Sequence, residues 1–146
     1  MKTVKSILDQ KGHDVLSIHP DDSVFNAIQK MADNNVGALV VIEDGKFVGI
    51  LSERDYARNV ILKGKSSPKT PIREIMVTHV ACARPEQKIE ECMVIMTEER
   101  VRHLPVLEKK QLVGMISLGD VVKSIIDDQE HTIEELEHYI TSSYPR

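Results

Sequence analysis

Aromatic residues are scarce in this chain: they make up 3% of its 146 residues and include no tryptophan. Proteins that bind single-stranded nucleic acid stack bases on aromatic side chains, and many sugar or lipid sites are lined by aromatic rings. The sequence therefore argues against both kinds of site. We expect a core built from valine, isoleucine, leucine and methionine.

Cysteine is scarce as well, and the sequence has no long apolar run and no large excess of one charge. The two cysteines, Cys82 and Cys92, form no CxxC motif, and Cys92 falls on a predicted apolar helix face, where we expect a buried thiol. No segment approaches the roughly 18 apolar residues of a membrane span, and the N-terminus lacks a signal peptide's apolar segment, so we expect a cytoplasmic protein without membrane contact. A net charge of −4 gives no reason to bind DNA.

Motifs for catalysis and metal binding are also missing. The six histidines form no HExxH motif and no i, i+4 pair, and neither G-x-S-x-G nor G-x-G-x-x-G occurs. Gly64-Lys65-Ser66 resembles the end of a P-loop, but it follows a predicted helix and lacks the first glycine of that motif. We therefore expect a protein that is not an enzyme and needs no metal.

An internal repeat is the most informative feature that is present. A shift of 65 residues aligns residues 20–56 with residues 85–121 without a gap, and ten of these 37 positions are identical, against about two expected by chance. Upstream, residues 4–8 resemble residues 72–76 at a shift of 68, so the first copy carries three extra residues around Lys11-Gly12-His13. The identical pairs include Pro20/Pro85, Gly49/Gly114, Ser52/Ser117 and Asp55/Asp120.

Each copy predicts the element order β-α-β-β-α. A short extended segment is followed by an amphipathic helix, two strands that turn at Asp44-Gly45 in the first copy, and a second helix from Ser52 or Ser117. Units this small barely sustain a core alone, so we predict a mixed α/β (α+β) fold in which the two copies pack as one module about a pseudo-twofold axis. The extended segments are Val15–Ile18 and Val80–Ala83, and the apolar helix faces run from Val24 to Met31 and from Ile89 to Met96.

The chain divides by composition into four parts. We place the first copy at residues 1–62, a polar Gly/Ser/Pro-rich linker at 63–71, the second copy at 72–129, and a C-terminal helix and tail at 130–146. A capping box at Thr132-Ile133-Glu134-Glu135 predicts where that last helix begins, and Ile133, Leu136 and Ile140 form its apolar stripe. We expect it to dock on the module or on a second subunit.

The motif Gly-h-h-Ser-x-x-Asp, where h is apolar, occurs at residues 49–55 and again at 114–120. It puts a hydroxyl and a carboxylate beside free helix N-terminal amides, a setting suited to ribose hydroxyls and phosphate. The same spacing is also a helix cap with no further role. In the second copy only, Arg102 and His103 precede a strand, either as phosphate-facing cations or as a solvated basic turn.

Together these residues resemble the tandem CBS-domain (cystathionine-β-synthase domain) pair, or Bateman module, in its free-standing bacterial form. The likeness spans about Val4 to Ile126. It implies a regulatory module that binds an adenosyl ligand such as AMP, ADP, ATP or NAD, with S-adenosylmethionine less favoured, and that signals to a partner protein. It also implies a homodimer through the helix faces at 24–31 and 89–96, with higher oligomers through the C-terminal helix.

Carried over by position, the resemblance implies two clefts, in which aspartates hold ribose hydroxyls, cations hold phosphates, and apolar residues such as Val36, Ile50, Val80 and Val101 hold adenine. The Asp55 cleft comprises Ser52, Arg54, Asp55, Thr78, His79, Val80, Arg102 and His103. The Asp120 cleft comprises Ser117, Asp120, Asp14, Val15, Gly37 and Ala38. Because only the first set is rich in cations, we expect phosphate to bind more tightly in the Asp55 cleft.

An alternative from another class stays open. If both Ser-x-x-Asp motifs act only as helix caps, the chain is a structural dimerisation or adaptor protein that binds no ligand. The acidic C-terminal helix is then its partner surface.

Overall fold

The computed structural model describes the backbone of residues 2–143 and the side chains of residues 2–130, 133 and 134. The first half contains α1 (Val4–Lys11), β1 (Ser17–Ile18), α2 (Val24–Asn34), β2 (Ala38–Glu43), β3 (Lys46–Ser52) and α3 (Glu53–Tyr56), which continues as a π-helix over Ala57–Ile61. Two 3-10 turns follow, at Ser67–Lys69 and Ile72–Glu74. The second half contains α4 (Ile89–Glu99), β4 (His103–Glu108), β5 (Gln111–Ser117) and α5 (Leu118–Ser143). The predicted mixed α/β fold is confirmed.

The two halves have matching sheets that differ at one edge. β1 pairs in parallel with β2, and β2 pairs antiparallel with β3, as β4 does with β5. The predicted strand at 80–83 is reduced to one parallel bridge, from Ala83 to Val106. In the first half Val40 donates its backbone N–H to Leu16 O, whereas the matching position is Pro105, which has no N–H to donate.

The hairpin turns share one backbone shape despite different residues. Asp44 and Gly45 both have positive φ, 53° and 75°, which confirms the predicted tight turn. Lys109 and Lys110 have φ of 51° and 66° at the equivalent positions. The second hairpin therefore holds two lysines in a conformation that glycine adopts at lower cost.

Each copy lends its first segment to the core of the other copy. Val4 and Leu8 of α1 pack among Ile89, Leu104 and Val121, while Ile72 and Ile75 pack in the core of the first half. The backbone contacts repeat too: the N–H groups of residues 4 and 5 donate to the carbonyls of 87 and 85, and those of 72 and 73 donate to 22 and 20. The exchange ties the two halves into one unit.

Paired glycines make room for these exchanged segments. A Cβ on Gly114 would lie 2.7 Å from Leu8 Cδ2, and a Cβ on Gly49 would lie 2.7 Å from Val77 O. Real Cβ atoms do not approach other atoms this closely, so both strands need glycine where the partner segment crosses them.

The apolar faces of α2 and α4 lie inside the molecule. Six of their residues are at most 4% exposed, which confirms these as core and makes the expectation that they form a dimer surface wrong for them, while Ile28 and Met93 are partly buried. The same helices instead expose Phe25 and Val94, each by about half. The buried set is Val24, Ala27, Met31, Ile89, Cys92 and Met96.

The C-terminal helix has no separate start. α5 is continuous from Leu118 to Ser143, so the predicted helix start at Thr132 is wrong: the sequence after Gly119 contains no glycine or proline that would interrupt the helix before residue 143. Ile133 is 53% exposed, and the predicted stripe positions Leu136 and Ile140 lie outside the described side chains. Across the backbone that the structure describes, no helix is both long and apolar enough to cross a membrane.

Candidate functional site

The first Ser-x-x-Asp motif lies where β3 meets α3. Asp55 Oδ2 accepts hydrogen bonds from Ser52 N at 3.0 Å and from Ser52 Oγ at 2.9 Å, and Asp55 N donates to Ser52 Oγ at 3.2 Å. This is a complete capping box, so the structural role that the spacing allowed is present. Both side chains stay partly exposed, which leaves them accessible to a ligand.

The second motif repeats this geometry where β5 meets α5. Ser117 N donates to Asp120 Oδ2 at 2.8 Å, and Asp120 N donates to Ser117 Oγ at 3.1 Å. The two junctions therefore share the hydrogen bonds between the serine and the aspartate that close the cap. Any difference between them has to come from the side chains around them.

Contacts of Val77 and His13 hold two of the predicted segments beside the strands that lead to the junctions. Val77 exchanges two backbone hydrogen bonds, of 2.9 and 3.0 Å, with Ile50, which lies two residues before Ser52. The exposed residues Thr78 and His79 follow Val77 and leave the edge of the sheet at this point. On the other side, His13 Nδ1 lies 2.9 Å from Val113 O, and Asp14 and Val15 follow it. Of these, Val80 and Val15 are partly buried and Asp14 is exposed.

The residues before β2 and β4 flank the junctions of their own copies. Gly37 O accepts the Glu53 amide at 3.0 Å, and Arg102 O accepts the Leu118 amide at 2.8 Å. Ala38 is 1% exposed, so its side chain is closed to a ligand.

His103 lies between the two clefts. Gly37 was assigned to the Asp120 cleft and His103 to the Asp55 cleft. A Cβ on Gly37 would nevertheless lie 3.5 Å from His103 Cε1. Burial is the largest cause that lowers the pKa of His103, and the charge of Lys11 lowers it further, against the opposing charges of Asp120 and Glu53. Charged groups of both clefts therefore lie close enough to the imidazole to affect its pKa.

A cavity of about 270 Å³ brings together cations from both copies. Arg54, Val101 and Arg102 line it with the end of α4 and with Leu118, and Arg54 Nη1 donates to Arg100 O at 3.1 Å. It is slightly smaller than typical small-molecule pockets, which start at about 300 Å³. Ser52 and Asp55 do not line it. A larger open hollow of about 670 Å³, between β1 and the outer side of α2, contains none of the predicted site residues.

The Asp120 cleft contains a cation that the sequence analysis did not assign to it. Lys11 Nζ lies 2.7 Å from Asp120 Oδ2 and donates to Met115 O at 3.0 Å. Burial opposes ionisation of Asp120, but the hydrogen bonds from Lys11 and the Ser117 amide outweigh it and hold the pKa of Asp120 below its ordinary value. The signal in the sequence was the three-residue excess at 11–13, whose lysine and histidine both reach β5.

A group of potential metal ligands also forms on the surface. Donor atoms of His19, Asp21 and Glu43 lie within 4.8 Å of one another, among the residues searched. Arg73 pairs with both carboxylates, through Nε at 3.1 Å to Asp21 and through Nη2 to Glu43. A guanidinium thus already supplies the positive charge at this place.

The duplicated fold and its two Ser-x-x-Asp junctions point to one protein family. The family model of the CBS domain matches the chain twice, at residues 4–61 and 72–127, and the chain belongs to the CBS-domain family, of which it carries two domains.

Three relatives illustrate the match. The mitochondrial CBS domain-containing protein CBSX3 of Arabidopsis thaliana is 36% identical over 97% of this chain and 73% of its own length. The crystal structure of the CBS domain of NE2398 is 52% identical, with a TM-score of 0.82, over 86% of this chain and 98% of that one. A CBS domain pair of protein MJ0100, solved with 5′-methylthioadenosine and S-adenosyl-L-methionine, shares the fold at 22% identity and a TM-score of 0.77, over 88% of this chain and 98% of that one.

Proposed function

We propose that this protein is a non-catalytic regulatory module that binds an adenosyl ligand, such as AMP, ADP, ATP or NAD, between its two repeats. The observation that carries the proposal is the pair of Ser-x-x-Asp junctions, each facing residues of the other copy. Asp55 and Asp120 hold ribose hydroxyls, and Arg54 with Arg102 holds phosphate in the Asp55 cleft. The MJ0100 pair binds such ligands, and at 22% identity it supports the fold rather than the choice of ligand.

Binding acts through a shift between states. A ligand that contacts both Asp55 and Arg102 favours the arrangement of the two copies in which it reaches both residues at once, over other arrangements. A partner protein that distinguishes the two arrangements reads the occupancy. The exchanged segments give this coupling a physical route, because α1 belongs to one copy in sequence and to the other in packing.

We also propose a homodimer formed through the exposed outer surfaces of α2 and α4. Phe25 and Val94 are about half exposed there, and α5 adds exposed Val122 and Ile126. Sedimentation equilibrium is expected to give twice the mass of one chain, falling to one chain in the Phe25→Ser, Val94→Ser double variant. A monomeric parent protein would contradict the dimer.

Thermal unfolding with AMP, ADP, ATP, NAD and S-adenosylmethionine tests ligand binding. A ligand at 100 times its dissociation constant stabilises the folded state by about 2.7 kcal/mol, which raises the midpoint by about 5 °C or more in a chain of this size. The shift is expected to shrink in Asp55→Ala and Asp120→Ala. Asp33→Ala is the matched control, because it removes an exposed aspartate that lines the larger hollow.

Three results would speak against the proposal. No shift with any ligand favours the structural adaptor, and a shift lost only in Asp33→Ala moves the site to the larger hollow. Turnover of the bound nucleotide indicates an enzyme. Because both aspartates cap helices, Asp55→Asn and Asp120→Asn serve as second variants that keep an acceptor oxygen for the cap.

A further inference from the structure

The three extra residues of the first copy, Lys11-Gly12-His13, form one side of the Asp120 cleft. Gly12, with φ of 103°, ends α1 through its N–H to Leu8 O at 2.8 Å, and the chain then turns back over β5. Lys11 and His13 reach the carbonyls of Met115 and Val113, two residues apart on that strand. The segment is therefore held in place from both sides of the turn.

The Lys11 ammonium pairs with one of the two carboxylate oxygens that Asp120 offers to a ribose. Asp120 Oδ2 accepts from Ser117 N at 2.8 Å and from Lys11 Nζ at 2.7 Å. In the other cleft Asp55 Oδ2 accepts only from Ser52, and within residues 2–130 no ion pair to Asp55 is present. A ribose that takes both carboxylate oxygens reaches Asp55 without breaking an ion pair, whereas at Asp120 it has to displace Lys11 from Oδ2.

Displacement has a different outcome for neutral and for anionic ligands. When a ribose takes Asp120, the ammonium keeps Met115 O as an acceptor but loses its counter-ion, which is a modest cost because the Lys11 side chain is partly exposed. A ligand that carries a phosphate close to its ribose offers the ammonium a new anion. The Lys11 side chain is 40% exposed, and its flexible stem lets the ammonium move between the two partners.

We propose that Lys11 makes the Asp120 cleft selective for phosphorylated adenosyl ligands, by blocking Asp120 in the free protein and pairing with the ligand's phosphate in the complex. This inference rests on the proposed function and names the ligand class of one of its two clefts. It adds a phosphate partner to the cleft whose predicted residues were poor in cations. Neutral adenosine and 5′-methylthioadenosine are poor ligands of this cleft.

Calorimetric titration in an Asp55→Ala background isolates the Asp120 cleft. AMP is expected to bind it at least about tenfold more tightly than adenosine, because charge-assisted pairs are among the stronger hydrogen bonds. Adding Lys11→Met is expected to bring the two dissociation constants close together: AMP loses its partner, and adenosine no longer has an ion pair to break. Lys11→Arg is expected to restore the preference.

Lys5→Met is the matched control, because Lys5 lies on the same helix and pairs with Asp9 outside the cleft. The inference is overturned if the preference for AMP over adenosine is as strong in the Lys11→Met variant as in the Lys5→Met variant. If Asp55→Ala binds neither ligand while the parent protein binds AMP, the inference falls and the proposed function stands. If the parent protein binds no adenosyl ligand, both fall together.

Discussion

The Asp55 and Asp120 clefts share a serine–aspartate cap and differ in the charges around it. In both, a strand ends at a serine whose amide donates to an aspartate three residues on, with donor distances of 3.0 and 2.8 Å. At Asp55 the surrounding cations are arginines that line a neighbouring cavity, while at Asp120 a lysine from the exchanged helix α1 contacts the carboxylate itself. Duplication has therefore kept the scaffold and separated the chemistry of the two clefts.

The largest effect is expected when the Leu8 side chain, which packs α1 into the second half, is shortened. Leu8 is 1% exposed in the core of the second half, so Leu8→Ala is expected to lower the free energy of unfolding by about 3 kcal/mol, within the usual 2–5 for such truncations. Urea unfolding measures the loss. Because α1 carries Lys11, AMP binding to the Asp120 cleft is expected to weaken more than binding to the Asp55 cleft, and equal weakening would contradict the separate role of α1.

The paired glycines give the next largest effect. Gly49→Ala puts a Cβ against the backbone oxygen Val77 O, which the Ile50 amide holds, whereas Gly114→Ala meets the end of the Leu8 side chain. A side chain moves more easily than a paired backbone, so the first variant is expected to cost about 2–3 kcal/mol and the second about 1 kcal/mol. Chemical denaturation of both variants checks the order, and the reverse order would show that Leu8 is held more rigidly than Val77.

Much of this symmetry could be predicted from the sequence, because a repeat at a shift of 65 residues carries the helices, the strands and both Ser-x-x-Asp junctions with it. The exchange of α1 could not, since periodicity shows that Val4 and Leu8 are buried but not in which of two similar cores. The Lys11 contact was missed for a related reason: residues 11 and 120 are far apart in sequence, and only the exchange brings α1 to β5. Pro105 explains why the strand at 80–83 fell short.

A smaller effect is expected at the turns. Lys110→Gly relieves a positive φ of 66° and is expected to raise the free energy of unfolding by about 1 kcal/mol, while Gly45→Lys in the other hairpin is expected to lower it by a similar amount. Thermal or urea unfolding of the two variants measures both changes. Equal stability of all three proteins would show that the turns carry no strain.

The smallest effect concerns the Lys11–Asp120 pair itself. The folded-state pKa of Asp120 is lowered, so its contribution is complete above the unfolded pKa of about 3.9 and is lost as the pH falls through the lower folded value. With both side chains partly exposed, the coupling between Lys11→Met and Asp120→Asn is expected to be about 1 kcal/mol or less at pH 7 and to vanish at strongly acid pH. A coupling that does not change with pH would contradict the ion pair.

The number of AMP molecules bound by the parent protein, by Asp55→Ala and by Asp120→Ala tests the two-cleft account most directly. Isothermal titration is expected to give two AMP molecules per chain for the parent and one for each variant, with unlike dissociation constants at the two remaining sites. If both variants bind as many AMP molecules as the parent, with the same constants, then neither aspartate holds a ligand and the account is wrong.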